Sequence, residues 1–168
     1  MRNSFILRIL HKYPDFYKLL RGVKQIEDEK SIIAKIFLNQ IREKGILSNI
    51  QDAEIKVYSQ FGDDGIIQYL INAVEINKEE EKFIEIGTED YTESNTRFLL
   101  TNNNWSGLII EADKDAVSFI KKDDIYWKHE LTAIASFVTK DNINGIITEN
   151  NFSGKIGLLS IDIDGNDY

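Results

Sequence analysis

From about residue 80 onward, short apolar runs alternate with stretches of helical character, and this alternation constrains the fold more than any other feature. The apolar runs lie at residues 83–86, 108–111, about 126–133 and 156–163. The intervals between them suit helices that return the chain to the same edge of a sheet, rather than hairpins. Because such crossovers are right-handed, the pattern predicts an α/β fold with a doubly wound, mainly parallel sheet.

Helices are predicted between these strands, near residues 95–101, 114–122 and 141–150. A further helix, with apolar residues on one side from Ile66 to Val74, precedes the first strand. Open nucleotide-binding sheets of this type usually have about six strands. The sequence ends directly after the fourth predicted strand. A Rossmann-like domain truncated after that strand is therefore expected, with the fourth strand as an unpaired edge.

A helical extension, residues 1–50, is predicted ahead of the partial α/β domain at residues 51–168. Its first helix begins at Pro14 and ends at Gly22, and its second carries an apolar stripe and ends at Gly45. Residues 1–24 contain six Lys or Arg and one Asp, although the whole chain has a net charge of −8. Packing against the main domain is expected, with contact to a membrane surface or a partner as the alternative.

Composition excludes several classes of function. The chain has 168 residues and no cysteine, which rules out disulfides, zinc-cysteine sites and thiol nucleophiles. Its acidic balance argues against nucleic acid as the main partner, since such binding requires clustered Lys and Arg. The longest apolar run near the start is too short and interrupted for stable membrane insertion or a signal-peptide core. A cytoplasmic protein is expected.

Acidic residues follow the predicted strands. In open parallel sheets ligands bind beyond the carboxyl ends of the strands, and here those positions include Glu85, Glu111 and Asp162. Gly87 allows a sharp turn after the first strand. Glu111 lies 24 residues after Gly87, close to the interval at which a carboxylate binds the hydroxyls of a ribose. The pattern indicates a nucleoside site.

The same loop disfavours a dinucleotide. The pattern G-x-G-x-x-G requires two further glycines after Gly87, and the sequence has Glu89 and Tyr91 in this region instead. A pyrophosphate needs bare backbone N–H groups, and the acidic side chains of this loop would repel it. A cationic or uncharged nucleoside suits the loop better. S-adenosylmethionine, with its sulfonium, ammonium and ribose diol, fits that description.

Four segments carry a resemblance to a known family. They are residues 58–65 (YSQFGDDG), 83–96 (FIEIGTEDYTESNT), 138–144 (VTKDNIN) and 159–168 (LSIDIDGNDY). As a set, and in this order, they resemble the FkbM-type S-adenosylmethionine-dependent methyltransferases over about residues 56–168. The resemblance implies a class I methyltransferase-like fold and O-methylation of a carbohydrate-type or related small acceptor.

The resemblance also implies roles for individual residues. Glu85, Gly87 and Thr88 correspond to the cofactor loop, and Glu111 corresponds to the acid that binds the ribose. Ala133 falls near the adenine edge. This chain departs from the family at Glu89 and Tyr91, which replace the second and third glycines of the loop, and in lacking the strands beyond the fourth.

The acids after the fourth strand are the candidates for chemistry. Asp162 is placed beside the methionine part of the cofactor or the acceptor, and Asp164 or Asp162 is the candidate base that removes the hydroxyl proton of the acceptor. Asp162 to Asp167 offers oxygen ligands of the kind that Mg²⁺ prefers, but Asp-Gly and Asn-Asp pairs are typical of turns. No metal site is predicted.

Other interpretations stay open. A truncated, non-catalytic remnant or assembly protein would pair with a second copy through its exposed fourth strand. A lesser alternative is an enzyme that binds nucleotide sugars through the terminal acids and a metal. Asp63 and Asp64 are expected to cap the helix that follows them, with cofactor contact as the alternative.

Overall fold

A four-stranded, all-parallel sheet forms the centre of the molecule. A computed structural model describes residues 14–74 and 76–163, with side chains from residue 22 onward. The strands pair in the order β3-β2-β1-β4, so β1 is central and the chain changes direction across the sheet between β1 and β4. The bounds are β1 Lys82–Ile86, β2 Ser106–Glu111, β3 Leu131–Ala135 and β4 Leu158–Ile161. The predicted α/β class and parallel sheet are confirmed.

Five α-helices accompany the sheet in the described part of the chain, together with short turns of 3-10 and π helix. The α-helices are α1 Pro14–Lys44, α2 Asp63–Ala73, α3 Lys114–Ile120, α4 Asp124–Lys128 and α5 Ile143–Glu149. The 3-10 turns are Ile50–Ala53 and Lys78–Glu80, and a π-helical turn spans Leu99–Asn103, where the sequence predicted an ordinary helix.

The predicted start of the third strand is wrong. Residues 124–128 form helix α4 instead of the beginning of a strand. The carboxylate of Asp123 accepts a hydrogen bond from the backbone N–H of Ile125 at 3.1 Å and so caps the helix. The strand begins only at Leu131, where it pairs with Gly107 of β2.

The predicted break at Gly22 is also wrong, because α1 is one continuous helix of 31 residues. Nothing lies within 4 Å of the position where a side chain would stand at Gly22. A glycine inside a helix costs only about 1 kcal/mol, which the turns on either side offset. The predicted end at Gly45 is confirmed, since Gly45 adopts a left-handed φ of +74° directly after Lys44.

Apolar side chains cover both faces of the sheet, as expected for parallel strands. Phe83, Ile109 and Ala133 belong to the core on one face, and Ile84 and Leu108 to the core on the other. A third cluster joins α1 to the α/β domain, and its buried members are Ala34, Leu38, Val57 and Phe98. The second half of α1 therefore packs against the main domain.

Within the described residues, β4 has β1 as its neighbour on one side and no strand on the other. Leu159 and Ile161 of β4 are 57% and 47% exposed. The expected edge position of the fourth strand is thus observed. No α-helix among the described residues has the length and apolar character needed to cross a membrane.

Gly107 is required by the packing of the sheet. It pairs with Phe83, and a Cβ atom at Gly107 would collide with the Phe83 ring, which is fully buried. We expect Gly107→Ala to lower the free energy of unfolding by about 1–3 kcal/mol through overpacking. Urea denaturation measures this change.

Gly145→Ala is the matched control, because nothing lies within 4 Å of the new methyl group and the residue is inside α5. It is expected to be neutral or to stabilise the protein by up to about 1 kcal/mol. Equal effects of the two substitutions would contradict the packing described here.

Candidate functional site

A pocket of about 410 Å³ opens at the carboxyl edge of the sheet, around the ends of β1, β2 and β4. This is the point where the strand order reverses, the usual ligand site of open parallel sheets. The volume lies within the range of about 300–1,000 Å³ that is common for small-molecule sites. The lining residues are Gln60, Glu85, Gly87, Thr88, Glu89, Glu93, Ser94, Asn95, Glu111, Asp162 and Ile163.

Gly87 lets the segments after β1 and β4 approach each other. Its φ is +78°, and a Cβ atom here would collide with the backbone carbonyl of Asp162. The N–H of Asp162 donates to the carbonyl of Ile86 at 2.9 Å, and the N–H of Gly87 donates to that of Ile110 at 3.0 Å. The close neighbour of Gly87 is therefore the chain after β4, and both Gly87 and Asp162 line the pocket.

In the loop after β1, two residues other than glycine adopt backbone conformations that glycine favours. Glu89 and Tyr91 adopt φ values of 47° and 64°, the left-handed region that ordinary residues enter at a cost of about 1–2 kcal/mol. The phenol of Tyr91 is fully buried and shares a hydrogen bond of 3.0 Å with Thr96. Buried contacts of the loop offset the strain, so its departure from the glycine pattern leaves a loop that can border a ligand.

Glu111 ties this loop to the end of β2. Its Oε2 accepts the backbone N–H groups of Thr88 at 2.9 Å and Glu89 at 3.0 Å, and its Oε1 accepts that of Asp113 at 2.9 Å. Partial burial raises the pKa of Glu111, but the backbone donors together outweigh it and hold the pKa below its usual value. The carboxylate is thus ionised at the pocket wall, and Oε1 has capacity for one more donor.

Glu85 anchors the opposite side of the loop. Its carboxyl is buried and accepts hydrogen bonds from Ser94 Oγ at 2.7 Å, from the backbone N–H of Asn95 at 3.1 Å and from Thr96 Oγ1. Burial raises the pKa of Glu85 despite these donors. Glu85 lines the pocket, but its hydrogen bonds hold residues 94–96 against β1.

Of the other site residues predicted from the sequence, some line the pocket and others do not. Thr88 and Asp162 line the pocket, and Thr88 is 5% exposed with its hydroxyl unpaired among the described residues. Ala133 is buried in the core and does not line the pocket, because it lies in the middle of β3 rather than after it. Asp164 lies outside the described residues. The described residues contain no group of three or more His, Cys, Asp or Glu able to hold a metal.

The role of Asp64 was missed from the sequence. Its Oδ2 accepts the backbone N–H groups of Val57, Tyr58 and Ser59 at 2.7–2.8 Å and the hydroxyl of Ser59 at 2.8 Å. The expected capping is wrong, since the helix begins at Asp63, its N-cap residue is Gly62, and the hydroxyl of Ser59 accepts the backbone N–H of Asp64 at 3.0 Å. Asp64 instead fixes the loop that brings Gln60 to the pocket.

The pocket is strongly acidic. Its carboxyl groups come from Glu85, Glu89, Glu93, Glu111 and Asp162, and none of its described lining residues is Lys, Arg or His. Lys56, outside the lining, pairs with Glu93 at 2.9 Å and donates to the carbonyl of Gln60 at 3.0 Å. Such a pocket disfavours anions and accepts neutral or cationic ligands.

Comparisons of the chain with protein-family models, with curated proteins and with solved structures each gave no significant match.

Glu89 offers a test of the strained loop. We expect Glu89→Gly to raise the free energy of unfolding by about 0.5–1 kcal/mol, because glycine relieves the left-handed strain and this gain exceeds its larger chain entropy. Glu89→Ala is the matched control, since it removes the same carboxylate and keeps the strain. Thermal unfolding that shows equal stability for the two variants would contradict the strain.

The raised pKa of Glu85 leads us to expect that the stability of the protein depends on pH. Its folded pKa is raised above the ordinary value of 4.5, so the folded state holds the proton more tightly than the unfolded chain. The contribution of Glu85 to stability is therefore fully present below pH 4.5 and is lost as the pH rises to the folded pKa.

Glu85→Gln removes this titration and keeps a side chain of the same shape. The free energy of unfolding of the variant minus that of the wild type should increase as the pH rises above 4.5, the ordinary pKa of the group. Urea midpoints measured across the acidic to neutral range test this. Parallel curves for the two proteins would show that Glu85 titrates normally.

Proposed function

We propose that the chain belongs to an S-adenosylmethionine-dependent methyltransferase that transfers a methyl group to a hydroxyl of a carbohydrate-type or related small acceptor. The observation that carries the proposal is the ionised Glu111 at the wall of an acidic pocket, at the switch point of a parallel sheet. The sequence resemblance over about residues 56–168 supports the same assignment.

The donor set of the pocket fits this cofactor. Glu111 Oε1 has capacity for a ribose hydroxyl, and the backbone loop at Gly87 and Thr88 borders the space next to it. A sulfonium and an ammonium are favoured by the surrounding carboxylates. A pyrophosphate is not, which argues against dinucleotides and nucleotide sugars.

Glu111 and the loop at Gly87 and Thr88 would hold the cofactor, which would supply an electrophilic methyl group to the acceptor oxygen and retain the electron pair of the carbon–sulfur bond on sulfur. The protein positions the acceptor and takes up its hydroxyl proton. Among the described residues, Asp162 is the candidate base, since it lies in the lining where β4 ends. Asp164 remains a candidate from the sequence alone.

The acceptor is expected on the β4 side of the pocket. The amides of Gln60 and Asn95 line the pocket, and Asn95 Nδ2 donates to Ser160 Oγ of β4 at 3.4 Å. Amide and carboxylate groups are the usual partners of sugar hydroxyls because they supply both donors and acceptors. This supports a neutral, hydroxyl-rich acceptor.

A second candidate is assembly through β4. The strand has no neighbour on its outer side among the described residues, and its half-exposed Leu159 and Ile161 are apolar. An edge of this kind pairs readily with the same edge of a second copy. In that case the chain would form dimers and turn over no substrate.

Calorimetric titration with S-adenosylmethionine and S-adenosylhomocysteine tests the proposed function. We expect micromolar binding that weakens about tenfold or more in Glu111→Gln, because glutamine loses the charge and one acceptor oxygen. Glu79→Gln is the control, since Glu79 is an exposed acid before β1, at the opposite edge of the sheet. No heat with either ligand, together with a concentration-dependent dimer in sedimentation, would favour the second candidate.

A further inference from the structure

We propose that Glu89 and Glu111 make the pocket selective for charge, so that it binds the cationic sulfonium donor more tightly than the neutral thioether left after methyl transfer. The inference rests on the proposed function and concerns which side chains discriminate the two forms. Its starting point is the balance of charge around the pocket.

Neither of the two acids is neutralised by a described cation. Lys56 pairs with Glu93, and no ion pair of the described residues includes Glu89 or Glu111. Both line the pocket, and the N–H of Glu89 donates to Glu111, so the loop holds the two residues close together. Their negative charge is thus left for a ligand to compensate.

Glu111 is held in its ionised form by geometry. Three backbone N–H groups converge on its carboxylate, and a protonated carboxyl group would lose part of this set. The negative charge is therefore a feature of the pocket wall at neutral pH, whereas the buried Glu85 accepts hydrogen bonds from Ser94 and Thr96 within the protein.

Thr88 independently indicates a polar ligand at the same wall. It stands directly before Glu89, lines the pocket and is 5% exposed, yet its hydroxyl has no hydrogen-bond partner among the described residues. A buried hydroxyl without a partner is unfavourable unless a ligand or water supplies one. Thr88 therefore adds a polar group without a partner to the wall that carries the two acids.

The two forms of the cofactor differ by one methyl group and one positive charge. In both forms the ammonium and the carboxylate of the methionine part balance, so the net charge is +1 with the sulfonium and zero with the thioether. Charges within about 10 Å of each other still interact at 0.1 M salt. The pocket therefore stabilises the donor more than the product, and methyl transfer itself weakens the hold on the product.

Titration calorimetry of the full chain with S-adenosylmethionine and S-adenosylhomocysteine tests the proposal. At low ionic strength we expect the donor to bind about tenfold more tightly, and the ratio to shrink as salt is raised to about 0.3 M, because the exposed part of the interaction is screened. The affinity for the neutral product should change little with salt.

Glu89→Gln isolates the charge, since glutamine keeps the size of the side chain. It should lower the affinity for the donor roughly threefold or more and leave that for the product unchanged. Glu79→Gln, which removes an equal charge from the opposite edge of the sheet, should leave the ratio as in the wild type.

The outcomes separate this proposal from the one on which it rests. Product binding as tight as donor binding in the wild type, or an unchanged ratio in Glu89→Gln, would overturn charge selectivity while leaving the methyltransferase assignment standing. Absence of binding by both ligands would overturn the two proposals together. A salt-dependent preference for the donor that Glu89→Gln reduces would support both.

Discussion

The pairing of β4 with β1, on the side opposite to β2, is the constraint on which the pocket depends. It brings the segments after three strands to one edge and leaves a gap between those that follow β1 and β4. The gap is set by the contact of Gly87 with the carbonyl of Asp162, which leaves no room for a side chain. A sheet that grew in one direction only would have no such opening, because every crossover would lie beside its neighbour.

Three carboxylates then fix the loops around this opening by accepting backbone N–H groups. Glu111 holds residues 88 and 89, Glu85 holds residue 95, and Asp64 holds residues 57–59. Loops lack the regular partners of a helix or sheet, so these side-chain oxygens satisfy backbone N–H groups that would otherwise have no partner. Glu111, which adds to the negative charge of the pocket, thus also maintains its shape.

Much of the fold followed from local pattern. Three of the four strands were predicted within two residues of their start, because apolar runs at crossover spacing have few other solutions. The start of β3 was not predicted correctly, since the cap at Asp123 extends helical structure into an apolar segment.

The pocket positions of Glu85, Gly87, Thr88, Glu111 and Asp162 followed from the rule that ligands bind after the strands. Ala133 did not, because the end of its strand was misplaced and the residue lies in the core.

The sequence by itself determined the class of fold, the edge of the sheet that holds the site and the negative charge found there, because periodicity and composition are local properties. Only the tertiary structure decided what each acid does. Glu85 and Asp64 are committed to hydroxyl and backbone donors within the protein, whereas Glu111 binds the loop and also lines the pocket. The tertiary structure also decided that Glu89 and Tyr91 take the conformations of glycines. The donors to Glu111 lie 22 and 23 residues away in the chain and are brought to it only by folding, so no pattern within a single segment specifies them.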